Sequence, residues 1–533
     1  MGSPRTDPIE IPERLNLADW LLDERLREGS GERIALRLSD RELTYAEVAA
    51  HSRRFANVLA GLGLRPEERV FLALPDGADF VGALFGVLRA GGVVVMLNPE
   101  LPADAVAALV DYLRPRLAVI DGRLAHTYAA ALGASRERTT LVTVGDPAPG
   151  CPSFEELART VSDAFPTVDT HRDDPAVMLF SGGTTGRPKA VVQSHRSYAF
   201  TTQAYGQRTL GLTDADITLA VPKLFFGYAM GSNHFFPFSV GASACLFPEK
   251  STAESVFAAI ARHRPTVLVT VPTMIQQMVS HPHAATQDLS SLRLATSAGE
   301  ALAITLRERW QESFAVELLD GLGTAEQWHI FLSHRPGRVR PGTLGEAVPG
   351  FEVRVRDDAG CDLRDGEIGA LWVRGGARAW GYFREMDKTQ ATFRGEWVVP
   401  GDLVSRDDDG FFTYHGRGDD VFKVAGRWFS PAEVEGTLLR HPAVSECAVV
   451  GIADENGLLK PHAWVIPKPE GSPDEALQAH DLARRLADFV ARELLPFKAP
   501  RAVHLVADLP RTHLGKIDRG ALKRPAGAGG AEG

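Results

Sequence analysis

Cysteine is scarce in this sequence: Cys151, Cys245, Cys361 and Cys447 are the four in 533 residues. They stand far apart, and no pair has the short spacing of a zinc or redox site. A disulfide scaffold is excluded, and reduced thiols in a cytoplasmic protein are the expectation. Long hydrophobic runs are also missing. The longest apolar stretch, Val81–Leu97, is interrupted by Arg89 and by Gly91 and Gly92. It reads as helix, turn and strand rather than a membrane span. Nor is there a basic excess. The Lys and Arg residues number 58 against 68 Asp and Glu, a formal net charge of −10. That argues against sequence-independent nucleic-acid binding, which needs a basic surface. The N-terminus is polar and lacks the apolar core of a signal peptide.

What is present is long and ordinary in composition. With 533 residues, 44% hydrophobic and 24% charged, the chain exceeds one compact core and reads as two or more globular domains. An arm and a short helix around Leu17–Leu26 come first. Thr44 and Glu47 then have capping-box spacing, and Val48, Phe55, Leu59 and Leu62 follow at helical intervals until Gly61 and Gly63. Strands Val70–Leu74, Val93–Leu97 and Leu117–Ile120 alternate with helices Ala78–Arg89 and Ala103–Leu113. The alternation returns with helix Ala253–His263, strands Val267–Val271 and Leu292–Thr296, helix Ala301–Phe314 and strand Val316–Leu319. Such a pattern predicts doubly wound α/β sheets. After about Gly345 the chain turns β-rich, with Phe351–Arg356 and Ala370–Arg374. An Asp409-Gly410 hairpin turn lies between Leu403–Ser405 and Phe411–Tyr414. A small separate α+β unit follows after about Gly418. It has a capping box at Ser430-Pro431-Ala432-Glu433, strands Val444–Ile452, Ala463–Pro467 and Ala502–Val506, and an amphipathic helix Asp481–Leu494. The Gly/Ala-rich tail from Pro525 reads as disordered.

The densest chemistry lies in Phe180–Lys189, F-S-G-G-T-T-G-R-P-K, directly after the apolar run Ala176–Phe180. Glycines let the backbone bend and bring its N–H groups close to a ligand. Hydroxyls donate to anionic oxygens, and the lysine adds a mobile positive charge. The combination suits a polyphosphate. It is not a Walker A loop, because Arg187 and Pro188 separate Gly186 from Lys189.

S-G-G-T-T-G-R-P-K resembles the phosphate loop of the adenylate-forming superfamily, which includes acyl-CoA synthetases, luciferases and peptide-synthetase adenylation domains. The resemblance covers nearly the whole chain. It implies a large N-terminal domain over 1–418 that binds ATP and an acid, and a small mobile C-terminal domain over 419–533 that carries a catalytic lysine. Ser181, Gly182, Gly183, Thr184, Thr185, Gly186 and Lys189 would hold ATP, with Thr184 catalytic. Gly323-Thr324-Ala325-Glu326 resembles the motif whose acid binds the magnesium of MgATP, and a hard cation prefers carboxylate oxygen. Ala325 stands where the family usually has threonine, and Leu322 where many members have an adenine-stacking tyrosine. Gly323 and Thr324 would still line the nucleotide. Asp402 after Gly401 would accept from both ribose hydroxyls. In Gly416-Arg417-Gly418-Asp419-Asp420, Arg417 would contact ribose or phosphate, and Asp419 would be the hinge. Gly426 would leave room for the pantetheine arm of coenzyme A. Lys516, in Pro510-Arg511-Thr512-His513-Leu514-Gly515-Lys516, would reach the reacting carboxylate and α-phosphate.

The acid is expected to be aromatic. Val221–Tyr228 contains no acidic residue to pair an α-ammonium, and it offers Phe225, Phe226 and Tyr228 instead. K-L-F-F-G-Y, F-P-F-S-V-G-A at Phe236–Ala242, and Asp320-Gly321-Leu322-Gly323 with His329-Ile330-Phe331-Leu332-Ser333 are similar to the benzoate-type aryl-CoA ligases. Phe226, Gly227, Tyr228, Gly299, His329 and Ile330 would then line the substrate. Ser232, Asn233 and His234 either face it, which would suit an amino- or hydroxybenzoate such as anthranilate, or pack away from it. The resemblance implies an ATP-dependent aryl-carboxylate–CoA ligase that works through aryl-AMP, with ATP, Mg2+ and coenzyme A. The alternatives are a stand-alone aryl adenylase that loads a carrier-protein thiol and a catalytically inactive nucleotide-binding regulator. Neither nucleic acid nor membrane is an expected partner, and a monomer or homodimer in the cytoplasm is the expected form. His171-Arg172-Asp173, Asp407-Asp408-Asp409-Gly410 and the pair His281 and His283 lack the contexts of a kinase loop, a calcium loop and a metal site.

Overall fold

The computed structural model describes residues 8–135, 138–181, 188–424, 427–455, 457–468, 475–511 and 517–523. The tail from Pro525 lies outside them. Among the described residues no helix is long and apolar enough to cross a membrane.

Local chemistry sets the first helix pair. Thr44 caps helix Tyr45–Gly61 by accepting from Glu47 N, and the Glu47 carboxylate accepts from Thr44 N at 2.8 Å. Gly63, at φ +86°, ends the helix. Helix Ala78–Arg89 forms at its expected bounds and is buried along nearly its full length. Its Gly86 lets the two helices touch, since a Cβ there would lie 2.5 Å from Phe55 Cβ.

Two large sheets carry the N-terminal part. One runs Gly381–Tyr382, Lys189–Ser194, Pro175–Ser181, Val93–Met96, Arg69–Ala73, Leu117–Asp121, Thr140–Val144. The other runs Glu346–Ala347, Ile330–Ser333, Leu318–Gly323, Leu294–Ser297, Val267–Thr270, Ile217–Ala220, Ser243–Cys245, Ile34–Arg37, Glu42–Thr44. Both have parallel centres, as the helix–strand alternation implies. The first turns antiparallel where Pro175–Ser181 pairs Lys189–Ser194, and the second where Leu318–Gly323 pairs Ile330–Ser333 and, at its other edge, where Ile34–Arg37 pairs Glu42–Thr44. The edges at Ser181–Lys189 and Gly323–Ile330 build the candidate site. A third, antiparallel sheet holds Glu352–Arg356, Gly369–Arg374, Asp402–Arg406 and Phe412–Arg417.

The small unit packs helices Pro431–Leu438 and Glu475–Glu493 with strands Val444–Ala453, Leu459–Pro467 and Ala502–Leu505. Its core draws on Phe422, Phe429, Val434, Val449, Val465, Leu486 and Val490, all from beyond the third sheet. Some bounds differ from the sequence pattern. The helix expected over Ala301–Phe314 begins at Ile304, and the strand expected over Val316–Leu319 occupies Leu318–Gly323. Only half of the second capping box forms. Ser430 Oγ accepts from Glu433 N at 3.4 Å, but the Glu433 carboxylate is taken by Lys498 at 2.6 Å.

The segment before the first helix pair is part of the core. Ile11, Leu15, Leu17, Leu21 and Leu22 are buried. Leu15 N donates to Thr170 O at 3.0 Å, and Asn16 Nδ2 donates to Leu88 O at 2.8 Å. Asp23 receives the buried Arg89 guanidinium at 2.5 and 3.2 Å and Arg53 at 2.7 Å. Burial pushes the Asp23 carboxyl up, but Arg89 and Arg53 together hold it below its ordinary value. Removing one partner of a buried pair strands the other charge, at about 3–5 kcal/mol. Exposed pairs such as Arg27–Asp19 contribute under about 1 kcal/mol. Asp23→Asn is therefore expected to lower unfolding stability by roughly 3 kcal/mol and Asp19→Asn by less than about 1. Denaturant unfolding of both variants checks the contrast, and equal effects would contradict it.

Candidate active site

The two antiparallel edges meet through one tyrosine. Ser181 and Lys189 are cross-strand partners, so the two ends of the candidate phosphate loop lie side by side. Ser181 Oγ is buried with no hydrogen-bond partner among the described residues. Strand Gly381–Tyr382 pairs with the strand that Lys189 begins, Tyr382 opposite Val191. From there the Tyr382 ring lies 4.5 Å from Lys189 Nζ. The Tyr382 hydroxyl donates to Glu326 Oε1 at 2.7 Å. Burial lowers the Lys189 ammonium from its ordinary value, with Glu326 opposing the shift. Burial, followed by the Glu326 charge, raises the Tyr382 phenol far above its ordinary value, so it stays a donor. Glu326 Oε2 has no hydrogen-bond partner among the described residues.

Glu326 is fixed from the backbone as well. Ala379 N donates to Glu326 O at 2.9 Å, and Gln193 Nε2 donates to Ala325 O at 2.6 Å. The chain then reverses. A Cβ at Gly323 would lie 2.4 Å from His329 O. Trp328 takes φ +60° and ψ −50°, and His329 N donates to Gln327 O at 2.8 Å. This is the strained three-residue γ-turn. The Trp328 indole packs 3.9 Å from the Tyr198 ring and 5.7 Å from Phe236, centroid to centroid.

On the far side of that turn lies an uncharged aromatic cluster. His329 Nε2 sits 3.0 Å from Tyr228 O and 3.2 Å from Ser232 Oγ. A carbonyl can only accept, so Nε2 carries the proton. Burial pushes the imidazole down to about 3, and the ring is neutral. The Tyr228 hydroxyl lies 2.7 Å from Thr296 Oγ1. Gly227 begins the short helix Gly227–Met230, and a Cβ there would press on Leu179 at 3.1 Å. The Phe226 ring lies 4.3 Å from that of Phe225, tilted by 41°, and Ile330 is buried at the start of its strand. Gly299, at φ +88°, stands exposed on the bend after strand Leu294–Ser297. A π-helical turn over Gly231–Phe235 separates the three polar neighbours. Ser232 meets His329, Asn233 Nδ2 donates to Cys245 O at 2.9 Å, and His234 is caged by Phe85 and Phe238.

Asp402 is buried and accepts from Tyr414 Oη and Arg417 Nη1, both at 3.2 Å. Burial raises its carboxyl above the ordinary value, against the Arg417 charge. Asp419 lies on the exposed turn that leaves this sheet. Gly182, Gly183, Thr184, Thr185, Gly186, Gly426 and Lys516 lie outside the described residues. The described residues hold no cluster of three or more His, Cys, Asp or Glu that could cage a metal. A lone carboxylate beside a lysine fits a cation that arrives with a polyphosphate, since Mg2+ is commonly held by one or two carboxylates plus substrate phosphates. The buried hydroxyls of Thr324 and Ser181, without hydrogen-bond partners among the described residues, agree with a polar ligand there.

Residues 22–383 match the AMP-binding enzyme family, and residues 433–516 match the AMP-binding enzyme C-terminal domain. The chain belongs to the AMP-binding enzyme family. Its sequence is 38% identical over 517 residues to the benzoate–CoA ligase of Thauera aromatica, 97% of either chain. Among solved structures, this AMP-binding enzyme superposes on the anthranilate CoA ligase AuaEII in complex with anthranoyl-AMP. The TM-score is 0.90 and the identity 37%, over 96% of this chain and 97% of that one. A benzoate CoA ligase from Burkholderia xenovorans LB400 gives 0.86 and 38%, over 96% and 100%. The expected α/β class, with a large multi-sheet part and a smaller C-terminal one, is the fold of these relatives.

Tyr382, which joins Lys189 to Glu326, was not among the sequence candidates. Neither was Asp320, which is buried and pairs in register with Ser297 on the neighbouring strand. Burial pushes its carboxyl up to about 7, with Arg307 offsetting only part of the shift. An acid set among apolar strand residues is a signal the sequence carried.

Burial also fixes how stability depends on pH. It pushes His195, His234 and His329 down to about 3 and His334 to about 4. Below pH 6.5 the unfolded chain protonates these four and the folded one does not, so their effect is destabilising as pH falls. Asp76 and Asp320, raised to about 7, and Asp402, also raised, act oppositely between about pH 4 and 7. The histidines outnumber them. Stability is expected to fall from pH 7 to 5, at roughly 1.4 kcal/mol per pH unit for each uncompensated histidine. Thermal unfolding across that range reads the slope, and a flat or rising midpoint on acidification would contradict it.

Proposed function

We propose that the protein is an ATP-dependent aryl-carboxylate–CoA ligase, with a benzoate, anthranilate or hydroxybenzoate as its acid. The observation that carries this reading is the meeting of Lys189 and Glu326 on Tyr382. A cation and a carboxylate are held beside a Ser/Gly/Thr loop, in a chain of the AMP-binding enzyme family. Similarity to benzoate and anthranilate CoA ligases over nearly the full chain supports the choice of acid. The cluster around Tyr228 and neutral His329, with no acidic residue in Val221–Tyr228, supports an aryl acid over an α-amino acid. Of the polar trio, only Ser232 reaches this cluster, so preference for an amino or hydroxyl substituent rests on Ser232 alone.

In the first step a carboxylate oxygen of the acid attacks the α-phosphorus of ATP and pyrophosphate leaves, giving aryl-AMP. The acid is ionised at neutral pH, so positioning and charge stabilisation supply the catalysis. Ser181–Lys189, with Thr184, would cradle the phosphates. Bound Mg2+ would neutralise phosphate charge, with Glu326 as its protein ligand. Gly323 and Thr324 would line the nucleotide. Asp402, oriented by Tyr414, would receive the ribose hydroxyls beside Arg417, and Lys516 would reach the carboxylate and α-phosphate. In the second step the thiol of coenzyme A attacks the acyl carbon. The bond to AMP breaks, AMP leaves, and the thiol proton passes to solvent. We place the domain boundary at 418/419, where the third sheet ends and the small core begins. Asp419 would be the hinge that withdraws Lys516 and brings Gly426 to the pantetheine.

Lys516→Ala is expected to lower acid-dependent ATP–pyrophosphate exchange by at least about 100-fold. Thioester formation from supplied aryl-AMP should survive in the same variant. Equal loss of both half-reactions would overturn this division. Mass spectrometry of wild-type reactions over an acid panel tests the acceptor. Aryl-CoA supports the ligase, whereas aryl-AMP without thioester would point to a carrier-protein thiol.

A further inference from the structure

Tyr382 presents two different surfaces to two different groups. Its ring face lies 4.5 Å from Lys189 Nζ, and its hydroxyl donates to Glu326 Oε1 at 2.7 Å. Neither contact is incidental to packing. The side chain is only 6% exposed. Its backbone is anchored by pairing with the Lys189 strand, and Tyr382 N donates to Thr389 Oγ1 at 3.0 Å. Phe393 meets the ring edge-on at 5.5 Å. Strand pairing fixes its backbone, and Phe393 and Glu326 restrain its ring.

Each contact restrains a group that would otherwise be loose. Lysine is a long, flexible chain with a point charge. An aromatic face beneath the ammonium attracts it and narrows its range. A carboxylate held only by its own chain can rotate, and a phenol bonded to one oxygen fixes its plane and leaves the other oxygen outward. Partners of this kind, one step back from a metal, typically change metal affinity by about 10–100-fold when removed. We propose that Tyr382 is a positioning residue for adenylation. It fixes the spacing between the phosphate-loop cation and the carboxylate that meets Mg2+, so that both engage one polyphosphate together. This rests on the ligase reading above.

The two contacts can be separated by substitution. Tyr382→Phe keeps the ring under Lys189 and removes the hydroxyl from Glu326. Tyr382→Leu removes both. In Tyr382→Phe the Mg2+ concentration for half-maximal ATP–pyrophosphate exchange should rise about 10-fold or more. The ATP KM at saturating Mg2+ should stay within about 2-fold of wild type, because the ring remains under Lys189. Tyr382→Leu should add a rise in ATP KM of about 5-fold that further Mg2+ does not correct. Calorimetric titration of ATP binding against Mg2+ should show the same shift without turnover. Thioester formation from supplied aryl-AMP should be unchanged in both variants, which a merely structural tyrosine would not allow.

An unchanged Mg2+ dependence in Tyr382→Phe, with wild-type exchange intact, would overturn this inference and leave the ligase reading standing. Equal loss of both half-reactions would assign Tyr382 to the fold and overturn it too. Wild-type protein that exchanges with no aryl acid would overturn the ligase reading and this inference with it.

Discussion

Between Glu326 and His329 the backbone takes a shape that L-residues avoid, and the site is arranged around it. The γ-turn at Trp328 costs on the order of 1–3 kcal/mol. Burying a large aromatic side chain returns a comparable amount, roughly 1.5–3 kcal/mol, and the Trp328 indole is buried against Tyr198 and Phe236. The result is a sharp division over three residues. Glu326 turns toward Tyr382 and the first sheet, whereas His329 turns toward Tyr228 and Ser232. In the proposed reaction, phosphate handling and acid recognition part at this one γ-turn.

The two sides differ in electrostatic character for the same reason of burial. Around His329 the imidazole is neutral, and the nearest polar partners are a carbonyl and hydroxyls. In the proposed reading an aryl ring would meet no paired charge there. On the other side, Lys189 and Glu326 are both partly or wholly withdrawn from water. Their fields are stronger there than at a surface. Parallel sheet centres supply rigidity, and antiparallel edges carry the side chains of the candidate site.

What could be read in the sequence was what neighbours in the chain decide among themselves. The loop Phe180–Lys189 needs consecutive glycines, hydroxyls and a lysine, and its ends meet as cross-strand partners. The Thr44–Glu47 cap and helix Ala78–Arg89 are likewise local, and both form as expected. What could not be read depends on distant partners. Tyr382 and Glu326 are 56 residues apart. Half of the Ser430 capping box fails because Lys498, 65 residues from Glu433, claims the carboxylate. The trio Ser232–His234 was ambiguous because a π-helical turn has no 3.6-residue period. It sends three consecutive side chains to a histidine, a carbonyl and an aromatic cage.

The arm ahead of the first helix pair bears on where this protein begins as a folding unit. The family match starts at residue 22, yet Ile11, Leu15, Leu17 and Leu21 are core residues. Leu17 N also meets His195 Nδ1 at 3.2 Å, and Arg172 holds Ile11 O at 2.6 Å. A chain cut at the family boundary would keep every motif of the proposed chemistry and open a hydrophobic trench along its first sheet. The minimal enzyme is thus longer than the minimal signature, and shuffling of family modules would have to carry these residues along.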